Sequence, residues 1–212
     1  MISEVEMSKD LYQALVHAPQ PARPLVFAFH GTGGDEHQLV ELAGTLVAGA
    51  GIVSPRGDVF EMGAARFFRR TAEGIYDMED LARATDKMIA FIEAHRASHS
   101  GHPVYGFGYS NGANILAAVF LKRPDLFERV GLLHPMVTWE PDAHPKLVGR
   151  KVLVTAGRRD PITPWPMTER LISWLSDHGA EVTSDVHEGG HELRNSELTA
   201  LASHFNGDVG PG

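Results

Sequence analysis

Pro103-Val104-Tyr105-Gly106-Phe107-Gly108-Tyr109-Ser110-Asn111-Gly112-Ala113-Asn114-Ile115-Leu116 is the most informative part of this chain. A β-prone run enters a Gly-x-Ser-x-Gly turn, and a helix-forming apolar run leaves it. The combination reads as a nucleophile elbow, a strand-to-helix turn so sharp that its serine takes a strained backbone conformation with the hydroxyl exposed. Gly108 and Gly112 flank Ser110 because side chains there would collide with the neighbouring strand and helix. The helix that follows aims its N-terminus at the hydroxyl, where its dipole favours developing negative charge. Glycine and serine are common, so the string alone is weak. The strand before it and the helix after it give it weight.

A nucleophilic serine needs a base, and the base needs an orienting carboxylate. On this architecture they follow in the order Ser, Asp/Glu, His, each on a loop after a strand. Lys151-Val152-Leu153-Val154-Thr155-Ala156-Gly157 reads as a buried strand and runs into Arg158-Arg159-Asp160-Pro161. Glu181 to Val186 alternates like a strand and ends at His187-Glu188-Gly189-Gly190-His191. Asp160 and His191 therefore stand where acid and base belong. Asp-Pro is also a common turn dipeptide, and the chain has 12 histidines, so each residue alone carries little. Order, spacing and strand context agree for all three. His187 is the rival base, but the glycines before His191 allow the tight return over the elbow. Arg158 and Arg159 are expected to keep Asp160 ionised if they approach it.

Leu25-Val26-Phe27-Ala28-Phe29 is a continuous apolar strand leading into His30-Gly31-Thr32-Gly33-Gly34. A His-Gly-x-Gly turn after an early strand is where one oxyanion-hole amide arises on this architecture. The two donors fall to the backbone N–H groups of Thr32 and of Asn111, the residue after the serine. A phosphate-binding loop is the competing reading, but the Walker lysine and the dinucleotide spacing are both missing.

These motifs resemble the α/β-hydrolase superfamily, and within it the phospholipase/carboxylesterase family of small bacterial serine esterases. The likeness rests on His30 to Glu36, Gly108 to Asn114, Gly157 to Pro161 and Gly190 to Leu193, and extends from about Pro24 to Phe205. Arg66-Phe67-Phe68-Arg69-Arg70 and Leu133-His134-Pro135-Met136-Val137 are similar to a subgroup with members linked to quinone and electrophile stress. The resemblance implies hydrolysis of carboxylic esters or thioesters without a cofactor, often in a homodimer.

Strands and helices alternate along the chain, which predicts a single α/β domain over 1–212 with a mostly parallel sheet covered on both faces. Residues 1–23 carry no clear structural signal. Helices are expected over Glu36 to Ala48, Asp77 to Ser98, Asn111 to Leu121, Met167 to Ser176 and Leu193 to Phe205, with strands at Gly51 to Ser54 and Arg129 to Leu133. The stretch from His134 to Gly149 is too short for a cap domain, which predicts an open site suited to short-chain or aryl esters. Phe67, Met136 and Ile162 are the expected pocket residues. The Pro55 to Asp77 segment reads as a long loop, with one of the two adjacent phenylalanines lining the cleft.

Composition excludes several other classes. The net charge of −8 argues against a nucleic-acid partner, and the absence of cysteine removes disulfides, cysteine-rich zinc sites and a thiol nucleophile. The first residues, Met1 to Met7, lack the basic and apolar regions of a signal peptide, and no apolar run suits a membrane span, so a cytoplasmic location is expected. His95, His99 and His102 cluster without a completing carboxylate, and His191-Glu192 lacks a second zincin histidine at Asn195, so no metal is expected. The sequence reading is a cofactor-free serine hydrolase of small-molecule esters, acting through an acyl-enzyme on Ser110. The alternatives are an acyl thioesterase with the same triad and a non-catalytic binding protein on the same fold.

Overall fold

A computed structural model describes residues 8–207. In chain order the elements are β1 (Ala14–His17), β2 (Leu25–Phe29), α1 (Val40–Leu46) and β3 (Gly51–Pro55). Two short hairpins follow, β4 (Val59–Glu61) with β5 (Ala64–Arg66), then β6 (Arg70–Ala72) with β7 (Ile75–Tyr76). The remainder is α2 (Met78–Ser98), β8 (Val104–Tyr109), α3 (Asn111–Lys122), β9 (Arg129–Leu133), β10 (Lys151–Gly157), α4 (Trp165–Asp177), β11 (Glu181–His187) and α5 (Asn195–Asn206).

Seven strands form one sheet in the order β1-β3-β2-β8-β9-β10-β11. Only the edge strand β1 runs antiparallel, against β3; the other pairs are parallel. β2 shows why the sheet is covered on both faces, since Leu25, Phe27 and Phe29 enter one core and Val26 and Ala28 the other. All five are fully buried, as expected for a strand between two helical layers. The first core takes Phe91 and Ile92 from α2, Ile115 and Val119 from α3, and Leu171 and Leu175 from α4. The second takes Ala43 and Leu46 from α1 with Leu201 and Phe205 from α5. Phe27 meets Phe29, Phe91 and Phe127 at ring separations of 6.4, 6.5 and 6.3 Å, and burying one such side chain contributes about 1.5–3 kcal/mol.

Helix boundaries follow local chemistry. Asp77 caps α2 by accepting a hydrogen bond from the Asp80 amide at 3.0 Å, and Leu81, Thr85, Met88, Ile89 and Ile92, which recur at helical spacing, are buried. The helix expected from Glu36 begins only at Val40, because the buried Glu36 carboxylate is tied to Arg56 and Gln13 and residues 36–39 form turns. α4 starts at Trp165, ahead of the expected Met167, since Pro166 is tolerated in a first helical turn. α5 starts at Asn195 instead of Leu193, where the Glu197 carboxylate accepts the Arg194 amide at 2.7 Å. Part of the weakly marked N-terminal segment becomes strand β1; residues 1–7, including the stretch read for a signal peptide, lie outside the described residues.

The Pro55 to Asp77 segment is not the unstructured loop expected, but carries the two hairpins, whose strands of two or three residues are too short to show a period. There is no cap domain among the described residues: the chain between β9 and β10 makes only the 3-10 turn Pro145–Leu147. No helix among the described residues is long and apolar enough to cross a membrane.

Candidate active site

Four neighbouring strands, β8, β9, β10 and β11, end at the same edge of the sheet, and their registers bring the following residues together. Tyr109 lies opposite Leu133, so Ser110 and His134 leave the sheet side by side, and Gly157 lies opposite His187 ahead of the loops that carry Asp160 and His191. Ser110 has φ 53° and ψ −116°, the strained backbone that a nucleophile elbow imposes. A side chain at Gly108 would meet the Gly112 carbonyl, and one at Gly112 would run into the Phe29 carbonyl oxygen. The elbow can close only with glycine at both places.

Ser110, His191 and Asp160 meet as the sequence predicts. His191 Nε2 is 2.8 Å from Ser110 Oγ, and His191 Nδ1 is 2.6 Å from Asp160 Oδ2. The other carboxylate oxygen of Asp160 accepts the backbone amides of Ile162 at 2.8 Å and Thr163 at 2.9 Å. Tyr109 donates its hydroxyl to the His191 carbonyl at 2.6 Å, holding the histidine loop over the elbow. His187 is not positioned as a base; it is buried with Nε2 3.2 Å from Glu197, close but out of line for a hydrogen bond.

The expectation that Arg158 and Arg159 keep Asp160 ionised is corrected. Arg158 lies over the Trp165 ring at 4.8 Å and pairs with Glu188, while Arg159 donates to the Glu188 carbonyl. The group that reaches Asp160 is His134, whose Nδ1 is 2.9 Å from Oδ2. His134 Nε2 is 2.9 Å from Glu197 Oε1, and all three side chains are fully buried. Burial pushes the Asp160 carboxyl up, but hydrogen bonds from His134, Thr163, His191 and Ile162 outweigh it and hold the group below the usual carboxylate range. The opposite balance acts on His134, where burial pulls down but the Glu197 and Asp160 hydrogen bonds push its basicity up. Sequence reasoning had marked Leu133 to Val137 only as a subgroup motif and gave His134 no role.

Ser110 opens onto a cavity of about 710 Å³ walled by Thr32, Tyr76, Met136, Ile162, Met167 and His191, with Asn111 beside the serine. Thr32, Asn111, Met136 and Ile162 all line this cavity with Ser110. Phe67 does not. It is fully buried against Phe29 and His30, with ring separations of 5.9 and 4.6 Å, and Phe68 is buried against Tyr76. The alternation argument failed because the chain bends at both residues instead of running extended.

That segment has another use, which the sequence did not reveal. Arg66 Nη1 donates to Thr32 Oγ1 at 2.8 Å, and the Phe67 amide donates to Asn111 Oδ1 at 2.8 Å. The Gly33 amide also donates to the Ala65 carbonyl at 2.9 Å. One short stretch therefore braces the residues on both sides of Ser110. His30 steadies the same loop, accepting the Gly57 amide on Nε2 at 2.9 Å, so its proton sits on Nδ1 facing the Gly31 carbonyl.

The histidines first weighed as metal ligands are separately engaged: His95 is buried against Phe91, His99 bonds the His95 carbonyl, and His102 bonds the Arg23 carbonyl. Groups of histidine and carboxylate within ligating distance do occur at His134, Asp160 and His191, and at His134, His187 and Glu197.

Comparison with known proteins agrees with this geometry. The model of the hydrolase family described as serine aminopeptidase S33 matches residues 20–188, ending just before His191. MhqD of Bacillus subtilis, named as a hydrolase, is 35% identical over 175 residues, covering 82% of this chain and 88% of that protein. A structure of Atu2452 from Agrobacterium tumefaciens, of unknown function, is 48% identical, with a TM-score of 0.87 over 93% of this chain and 97% of its own. The Bacillus cereus carboxylesterase is 31% identical, with a TM-score of 0.88 over 96% of this chain and 99% of its own. The chain belongs to the α/β-hydrolase family of serine aminopeptidase S33 type.

Proposed function

We propose that this hydrolase cleaves carboxylic esters through an acyl-enzyme on Ser110, with no cofactor. The observation that carries the reading is the continuous line from Asp160 through His191 to Ser110, at 2.6 and 2.8 Å. Ser110 Oγ attacks the ester carbonyl as His191 Nε2 takes its proton, and Asp160 holds the ring and stabilises the imidazolium. The Thr32 and Asn111 amides receive the oxyanion, at the positions braced by Arg66 and Phe67. His191 then protonates the leaving alcohol, and water attacks the acyl-enzyme by the reverse path.

Met136 and Ile162 form the apolar part of the acyl site. Ile162 is 48% exposed, so a long acyl chain would run past it into water. Each methylene buried against a wall contributes about 0.8 kcal/mol, and one in solvent almost nothing. Short-chain or aryl esters fit this site. A panel of p-nitrophenyl esters from acetyl to palmitoyl, with matching acyl-CoA thioesters in parallel, tests the proposal. The expected kcat/KM peaks at short acyl groups and is higher for the oxygen esters. A maximum at long chains contradicts the open site, and a consistent preference for thioesters replaces the esterase reading with a thioesterase.

A further inference from the structure

The cluster behind Asp160 has a composition that fixes its protonation. His134 presents both ring nitrogens to carboxylate oxygens, Nδ1 to Asp160 Oδ2 and Nε2 to Glu197 Oε1, each at 2.9 Å. Ionised carboxylates only accept hydrogen bonds, and a neutral imidazole has one N–H to give. Satisfying both contacts takes the imidazolium. All three side chains have no exposed surface, so water cannot supply the missing donor. Charge balance points the same way, because two carboxylates buried beside a neutral histidine would leave two uncompensated charges.

The backbone supports a dedicated placement. His134 has φ 53°, a positive value uncommon outside glycine, just past the C-terminal end of β9 and beside Ser110. Glu197 is committed to the cluster, its second oxygen accepting the Arg194 amide at 2.7 Å. His187 Nδ1 accepts the Gly189 amide at 2.9 Å, so its proton sits on Nε2, on the side of Glu197.

We propose that His134 is a buried cation and a positioning residue for the hydrolysis, locking Asp160 in place against His191. The inference rests on the catalytic roles assigned above to Asp160 and His191. With His134 in place, Asp160 receives four hydrogen bonds, two on each oxygen, and its carboxylate cannot rotate away from His191. The His134 ring centre is also 5.2 Å from that of His191. The His134 ring thus backs the base as well as its carboxylate. The other titratable groups facing His134 are Tyr109 from β8, His187 from the end of β11 and Glu197 from α5.

The test combines nitrogen-15 NMR of the histidine rings with kcat and KM measured separately. His134 should show two protonated nitrogens throughout the neutral range, a result independent of whether the protein turns over esters. His134→Asn retains a residue that tolerates the left-handed backbone. Without the His134 bond Asp160 is freer to turn from His191, so kcat should fall at least about 10-fold with KM little changed. Glu197→Gln should let His134 lose a proton within the neutral range and lower kcat with the same split. If His134→Asn does not fold, the wild-type spectrum and Glu197→Gln decide. A neutral His134 ring at pH 7, an unchanged kcat in a folded variant, or a stoichiometric metal ion held by His134, His187 and Glu197 would each overturn the proposal.

Discussion

Replacing Arg66 with methionine separates two jobs that the residue performs. The substitution keeps an apolar stem over the Phe68 ring but removes the 2.8 Å hydrogen bond from Nη1 to Thr32 Oγ1. Glu61 is not stranded by the change, because Arg70 still holds it at 2.8 and 3.0 Å. Arg66 Nε also loses two longer contacts, to the Phe68 carbonyl and to Glu61, each at 3.4 Å, but the Thr32 bond dominates, so the loss is about 1.5–3 kcal/mol of stability. In a domain of this size it should lower Tm by roughly 3–12 °C. Deleting an oxyanion donor outright costs about 10²–10³ in kcat. Here the Thr32 amide remains but loses its tether, so kcat should fall about 10- to 100-fold, or about 1.4–2.7 kcal/mol, with KM little changed. Thermal melts and saturation kinetics on a short-chain p-nitrophenyl ester measure both. A variant melting in the expected range with kcat within about two-fold of the parent would refute the brace.

Tyr109→Phe removes the hydroxyl that holds the His191 carbonyl and should lower kcat/KM about 3- to 10-fold while costing about 1 kcal/mol of stability, read by the same two assays. The Asp160, Glu197 and His134 cluster also makes stability depend on pH with a definite sign. Asp160 and Glu197 are held below their ordinary values, so their contribution is present above about pH 4 and is lost as pH falls. His134 is raised, so its contribution is complete below about pH 6.5 and is lost as pH rises through its folded value. Thermal melts across pH should show Glu197→Gln flattening both sides of the curve; unchanged slopes would mean the cluster does not couple folding to protons.

What could be read from the sequence was whatever depends on local chain geometry. The elbow needs glycine on either side of Ser110 within five residues, and Asp160 and His191 each follow a recognisable strand. The brace was hidden because Arg66 and Thr32 lie 34 positions apart, and Phe67 and Asn111 lie 44 apart. His134 was hidden for the same reason, since Glu197 is 63 positions away and nothing in Leu133-His134-Pro135 specifies a carboxylate partner. Adjacency misled in the opposite sense at Arg158 and Arg159, which turn toward Glu188 and Trp165 although they precede Asp160. The pocket suffered most, because wall positions depend on bends such as those at Phe67 and Phe68, which leave no periodic trace.

The central claim is a covalent acyl group on Ser110. Rapid mixing with p-nitrophenyl acetate, followed by acid quench, intact-mass measurement and peptide mapping, tests it directly. The account predicts a burst of p-nitrophenol approaching one equivalent per chain and one acetyl group on the peptide containing Ser110, both abolished in Ser110→Ala. Steady turnover with no adduct, and with near-parental activity in folded Ser110→Ala, would contradict it.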